Sequence, residues 1–126
     1  MIQKAMLIKD TKRITELAAA DGTPIRELIS PIGDPVTTHY SIALARLPKR
    51  DKSLPHRLKS SSEVYIIIEG EGIMHIDDES ASVSAGQLVY IPPGALQHIE
   101  NTGGSDLVFY CIVSPPWRME DETVIV

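Results

Sequence analysis

Apolar and polar residues alternate in short runs along most of this chain. THYSIALARL, HRLK, EVYIIIEG, GIMHIDD, SASVSAG, QLVYIPPG, LQHIEN and LVFYCIV follow one another, each bounded by Gly, Pro, Asn or Asp. A period of two is the signature of strands, whose successive side chains point to opposite faces. Gly70-Glu71-Gly72 separates two of these runs and reads as a hairpin turn. Upstream, PIRELIS reads as a strand closed by PIGDP. Before it, Asp10 or Thr11 is placed to cap a short N-terminal helix with Ile14, Leu17 and Ala18 on one face, ended by Asp21-Gly22. The expected class is all-β, a sandwich or barrel, with a short N-terminal helix. Residues 1–36 form an N-terminal arm, and the tail 114–126, opened by two prolines, packs along the outside.

Several strands are apolar on both faces. In EVYIIIEG, Tyr65 and Ile67 share the parity of Glu63, while Val64, Ile66 and Ile68 point the other way. In LVFYCIV, Leu107, Phe109, Cys111 and Val113 alternate with Val108, Tyr110 and Ile112. A small antiparallel barrel has one wet face unless something covers it. A second copy of the chain is the simplest cover, so a homodimer is expected, with the arm and tail as the alternative cover.

Composition narrows the function classes. The chain has 126 residues, the size of one domain, and 43% of them are hydrophobic, enough for a core. Its formal net charge is 12 − 17 = −5, with no basic cluster, which argues against nucleic-acid partners and anionic membrane surfaces. No apolar run approaches the roughly 20 residues of a membrane span. The N-terminus lacks the apolar core of a signal peptide, and the single cysteine, Cys111, reads as a small buried hydrophobe. A soluble cytoplasmic protein is the expectation.

Strand parity then sorts the candidate chemistry. In His56-Arg57-Leu58-Lys59, the charged Arg57 and Lys59 face out, so His56 and Leu58 face in. In QHIEN, Gln97, Ile99 and Asn101 share the apolar face, while His98 and Glu100 share the other. The inward polar set is His56, Glu63 and Gln97. Such groups cannot sit unpaired in an apolar barrel. Either they bond one another around water or a small ligand, or they hold a divalent ion such as Mn, Fe, Ni or Zn with positions open for substrate. His98 is the fallback ligand, and a histidine beside a carboxylate also suits proton transfer without metal. Tyr40, Leu58, Tyr65, Met74 and Phe109 are expected to line the pocket. His39 shares a face with Ser41 and Ala43, and His75 faces solvent. Ser60-Ser61-Ser62 is read as turn chemistry.

The spacing of these residues resembles that of the cupin superfamily. The first cupin motif, His-x-His followed by Glu and Gly, appears as His56-x-Leu58-x4-Glu63-x6-Gly70. The second, Gly-x5-Pro-x-Gly-x2-His-x3-Asn, appears as Gly86-x5-Pro92-x-Gly94-x2-Gln97-x3-Asn101. The resemblance implies one RmlC-like jelly-roll domain over residues 1–126, a double-stranded β-helix with motifs at 56–70 and 86–101, commonly dimeric. In metal-binding cupins the motifs supply three histidines and a glutamate. His56 and Glu63 match, whereas Leu58 and Gln97 stand where the other histidines would be. The implied function is binding of a small carboxylate- or sugar-like ligand in the barrel, with or without a divalent metal. The alternative is a metal-dependent isomerase, decarboxylase or dioxygenase-like enzyme using His56, Glu63 and Gln97 as ligands. Fold alone does not choose between them.

Overall fold

The alternating segments pair into two antiparallel sheets that face each other across one core. The computed structural model describes residues 6–126; residues 1–5 of the N-terminal arm lie outside the described residues. The strands are β1 Leu17–Ala18, β2 Pro24–Ile29, β3 Ser41–Leu47, β4 His56–Leu58, β5 Ser62–Glu69, β6 Glu71–Ile76, β7 Glu79–Ser84, β8 Leu88–Ile91, β9 Gln97–Asn101, β10 Leu107–Ser114 and β11 Glu122–Val124. One sheet has the order β1-β2-β3-β10-β5-β8, the other β11-β4-β9-β6-β7. Consecutive strands therefore fall repeatedly in different sheets, as in a jelly roll.

Register decides which residues meet inside. On the six-stranded sheet, Phe109 lies opposite Ala45 and Ile67, and Cys111 lies opposite Ala43 and Tyr65. On the five-stranded sheet, Met74 lies opposite Ile99, and His56 opposite Gln97. The inner faces enclose a core of Ala45, Leu47, Tyr65, Ile67, Met74, Val83, Ile91, Ala95, Ile99, Leu107 and Phe109. The rings of Tyr65 and Phe109 pack with centroids 4.5 Å apart.

Two motif residues have architectural roles visible in the backbone. Gly70 turns β5 into β6 at φ 85°, where a Cβ would lie 2.5 Å from the Asp106 carbonyl oxygen, so no other residue fits without displacing that backbone. Asn101 Nδ2 donates to the carbonyls of Leu47 and Ser105, and its Oδ1 accepts from the Gly103 N–H. It thus secures the loop that leads into β10.

The chain ends depart from expectation. The N-terminal helix is instead a single 3-10 turn, Thr11–Arg13, with Asp10 accepting from the Lys12 N–H. Leu17 and Ala18, expected on its apolar face, form β1 and pair with Ile25 and Pro24. Tertiary pairing overrides a weak local preference here, because one turn of helix gains too few hydrogen bonds to persist alone. The arm is tied down by polar contacts: Lys9 bridges to Asp34 at 2.8 Å, Arg26 Nε donates to the Ile14 carbonyl, and Arg46 holds Glu16 with two hydrogen bonds. The tail does not simply lie along the outside. It returns as β11, opposite β4, with Glu122 across from Leu58 and Val124 across from His56.

Asp121 secures that return. It accepts from the Ser60 N–H at 2.9 Å, the Ser60 hydroxyl at 2.7 Å and the Ser61 N–H at 3.2 Å. Burial alone would raise its carboxyl, but these hydrogen bonds and Arg118 hold it below the usual range. The serine turn is thus the anchor for the last strand.

Candidate functional site

Strands from both sheets carry polar side chains toward one end of the barrel. Gln97 (β9) and Glu63 (β5) belong to different sheets, yet Gln97 Nε2 donates to Glu63 Oε1 at 3.1 Å. The Tyr65 hydroxyl donates to Gln97 Oε1 at 3.0 Å. Gln97 is therefore used at both ends of its amide, bridging the sheets. His56, across from Gln97, is fixed by Nδ1 against the Leu54 carbonyl at 2.9 Å. Its other surroundings are acidic: Asp21 Oδ2 lies 3.4 Å from Nδ1, and Glu122 Oε2 lies 4.0 Å from Nε2. Trp117 Nε1 donates to Glu122 Oε1 at 3.2 Å.

Of these residues, His56, Glu63, Tyr65, Asp21, Trp117 and Glu122 border a cavity of about 340 Å³. Its apolar wall includes Leu58, Tyr65, Phe109, Val113 and Trp117. Cys111 also reaches this wall, so it is only partly buried rather than a fully enclosed core residue. Thr23 lines the cavity too, and its buried hydroxyl has no hydrogen-bond partner among the described residues. A buried hydroxyl left unpaired is costly, so its partner is expected to arrive from the cavity.

Burial dominates the electrostatics. It pushes the Glu63 carboxyl up to about 8, against the Gln97 hydrogen bond that lowers it, with Asp21 and Glu122 raising it further. Burial likewise raises Glu122, which His56 draws down and Asp21 draws up. The Tyr65 hydroxyl and the Cys111 thiol both stay protonated well past their ordinary ranges, chiefly through burial. At neutral pH Glu63 is thus largely a neutral acid, able to donate as well as accept.

Of the residues expected at the site, the structure brings together His56, Glu63, Gln97, Leu58, Tyr65 and Phe109. Two expected pocket residues are elsewhere. Tyr40 is 40% exposed and precedes β3, where the chain has not yet entered the barrel. Met74 is buried in the core, away from this cavity, and borders a second depression beside β7 and β8. His39 is exposed. His98 lies on the outer face of β9, where its ring stacks on His75. Asp21, Thr23, Trp117 and Glu122 were not singled out from sequence. Asp21 had the look of a turn residue, which it also is, since its carboxylate accepts from the Thr23 N–H. Nothing local in the sequence marks Glu122 as a partner of His56, 66 positions earlier.

The inward donor set does not fit a divalent ion. Leu58 has no lone pair, and Gln97 is already engaged by Tyr65 and Glu63. Among the described residues, the His, Cys, Asp or Glu side chains whose ligand atoms converge as a group of three are His75, His98 and Glu100, outside the barrel.

The cupin domain family matches residues 43–113, and the chain belongs to this family. It is 34% identical over 125 residues to the uncharacterized protein MJ1618 of Methanocaldococcus jannaschii, covering 99% of each chain. It is 31% identical over 71 residues to an oxalate-binding protein of Thermotoga maritima, covering 56% of this chain and 59% of that one. Among solved structures, a predicted oxalate decarboxylase from Thermotoga maritima superposes with a TM-score of 0.77 at 22% identity, over 86% of this chain and 99% of that one. The Streptomyces nucleoside dehydratase Pac13, in a variant solved with uridine, superposes with a TM-score of 0.78 at 15% identity, over 97% and 92%. At these identities the structural likenesses concern the fold.

Proposed function

We propose that this cupin binds a small neutral, hydroxyl-rich molecule, sugar- or nucleoside-like, in the barrel without a metal ion. The observation that carries this reading is the charge of the cavity wall. Asp21, Glu27 and Glu122 line it beside the neutral acid Glu63, and His56 is the single basic side chain among the described lining residues. A dicarboxylate such as oxalate would meet carboxylates with no Lys or Arg to offset them, and like charges close together in a low-dielectric site repel strongly. A hydroxyl-rich ligand instead finds acceptors at Asp21 and Glu122, a neutral acid at Glu63, and the unpartnered hydroxyl of Thr23. Trp117 and Phe109 offer apolar surface for its ring. That a protein of the same fold is solved with uridine supports a ligand of this kind.

The same groups have acid–base capacity. Glu63, held near pH 8, and His56 sit on facing sheets around one space, the arrangement that general acid–base catalysis uses. A proton transfer at a hydroxyl-bearing carbon is the reaction class this pair suits.

Isothermal titration with uridine, ribose, hexoses, oxalate and malonate tests the reading. Binding of a neutral member that survives EDTA and weakens more than tenfold in Thr23→Val and Glu63→Ala is expected. Tight oxalate binding that requires added Mn, Fe, Ni or Zn and is lost in His56→Ala would establish the metal-dependent alternative instead.

The homodimer belongs to the same proposal. The outer face of the six-stranded sheet carries Val64, Ile66, Tyr110 and Ile112 in register, bordered by the exposed Ile68, Leu88 and Tyr90. Light scattering at micromolar concentration is expected to give twice the chain mass, reverting to one in Tyr90→Glu.

A further inference from the structure

We infer that the outer face of the five-stranded sheet carries a surface site for a borderline divalent transition ion, formed by His75, His98 and Glu100. The two histidines lie directly opposite each other on the antiparallel pair β6 and β9. Their rings stack with centroids 4.1 Å apart and planes 7° from parallel. Glu100 follows His98 by two residues, so it projects from the same face, and its Oε1 lies 2.6 Å from His75 Nε2. One ligand atom from each of the three falls within 4.8 Å of the others. A tetrahedral zinc ion with bonds of ~2.0–2.1 Å holds its ligand atoms roughly 3.4 Å apart. The ladder fixes the three Cα positions, so closing that difference falls to the side-chain torsions.

Two imidazoles and a carboxylate are the donor types that zinc, nickel, cobalt and copper prefer, and they leave room for water or a fourth group. The partners of His75 suit metal binding through a change of tautomer. His75 Nδ1 lies 2.8 Å from the Ser80 hydroxyl on β7. When Nε2–H donates to Glu100, that hydroxyl donates to Nδ1. When the ring proton moves from Nε2 to Nδ1, Nε2 is free to hold an ion, and Nδ1–H donates to the same hydroxyl, which reverses. A ligating histidine held through its other nitrogen is the usual arrangement at metal sites. All three ligands are partly buried, with His75 25% and Glu100 37% exposed as side chains, which leaves the ion an open approach.

The site is independent of the cavity, since Gln97 and His98 are neighbours on β9 that point to opposite sides of the sheet. Zinc titrated calorimetrically into the EDTA-stripped full chain tests it. One saturable ion per chain with micromolar affinity is expected, together with a Tm that rises with zinc concentration. His98→Gln, His75→Gln and Glu100→Gln should each weaken binding at least tenfold, while His56→Ala and Glu63→Gln leave it unchanged. Circular dichroism checks that each variant is folded, and three separate ligand variants keep the test open if one is not. No saturable zinc binding, or binding that depends on His56 and Glu63 but not on His75 and His98, would overturn the inference.

Discussion

Gln97 and His98 are consecutive residues on one strand with opposite situations. Gln97 is 1% exposed and joins two sheets through Tyr65 and Glu63, so each polar atom of its amide is committed. His98 sits outside, stacked on His75, where water can replace any partner it loses. Inside, desolvation makes every unpaired group costly and moves Glu63 far from its ordinary titration. Outside, solvent screens the same kinds of group and leaves them free to exchange partners. The inside is therefore suited to selecting a ligand by charge and hydrogen bonding, and the outside to reversible capture of an ion.

The sharpest way to test that contrast is pH. In the fold the Glu63 carboxyl titrates near 8, against an ordinary value of 4.5, so the folded state binds its proton more tightly than the unfolded chain does. Its contribution to stability is complete below about pH 4.5 and is lost as pH rises through about 8. The loss across that window is about 3–5 kcal/mol. Urea melts across pH 5 to 9 should show stability falling, and Glu63→Gln, which stays neutral, should remove most of that slope. An unchanged slope in the variant would mean Glu63 is not buried as described.

Gln97→Leu comes next. It strands the Tyr65 hydroxyl and removes a donor to Glu63, at a cost of about 2–3 kcal/mol in chemical denaturation. Removal of the Asp121 carboxylate, in Asp121→Ala, frees Ser60 and Ser61 and loosens β11, at about 2 kcal/mol. It should also weaken ligand binding, because β11 carries Glu122 to the cavity. His98→Ala should have the smallest effect, within about 1 kcal/mol, since it loses only a partly buried ring stack on the outer face. If His98→Ala were as damaging as Gln97→Leu, the distinction between the two faces would fail.

The legible part of the site lies on strands with strong alternation. QHIEN separates Gln97 from His98 because Gln97, Ile99 and Asn101 share one parity and the strand is pinned on both sides by β4 and β6. Leu58 and Phe109 were readable for the same reason. Tyr40 was not, because it stands outside any strand, where parity carries no information. Met74 has the expected inward direction but lies at another level of the barrel, a distance that periodicity does not encode.

The barrel is written in the chain: strands of period two, glycines where φ must be positive, and motif spacing that puts His56, Glu63 and Gln97 inward. Which side chains meet is settled only by folding. Asp21 and Glu122 come from opposite ends of the chain to flank His56, and His75 faces His98 because β6 and β9 pair in one register rather than another. Alternation is local and is written in each segment. Register and closure are set by the packing of all strands together, so the charge of the cavity and the outer histidine pair emerge only when the barrel has formed.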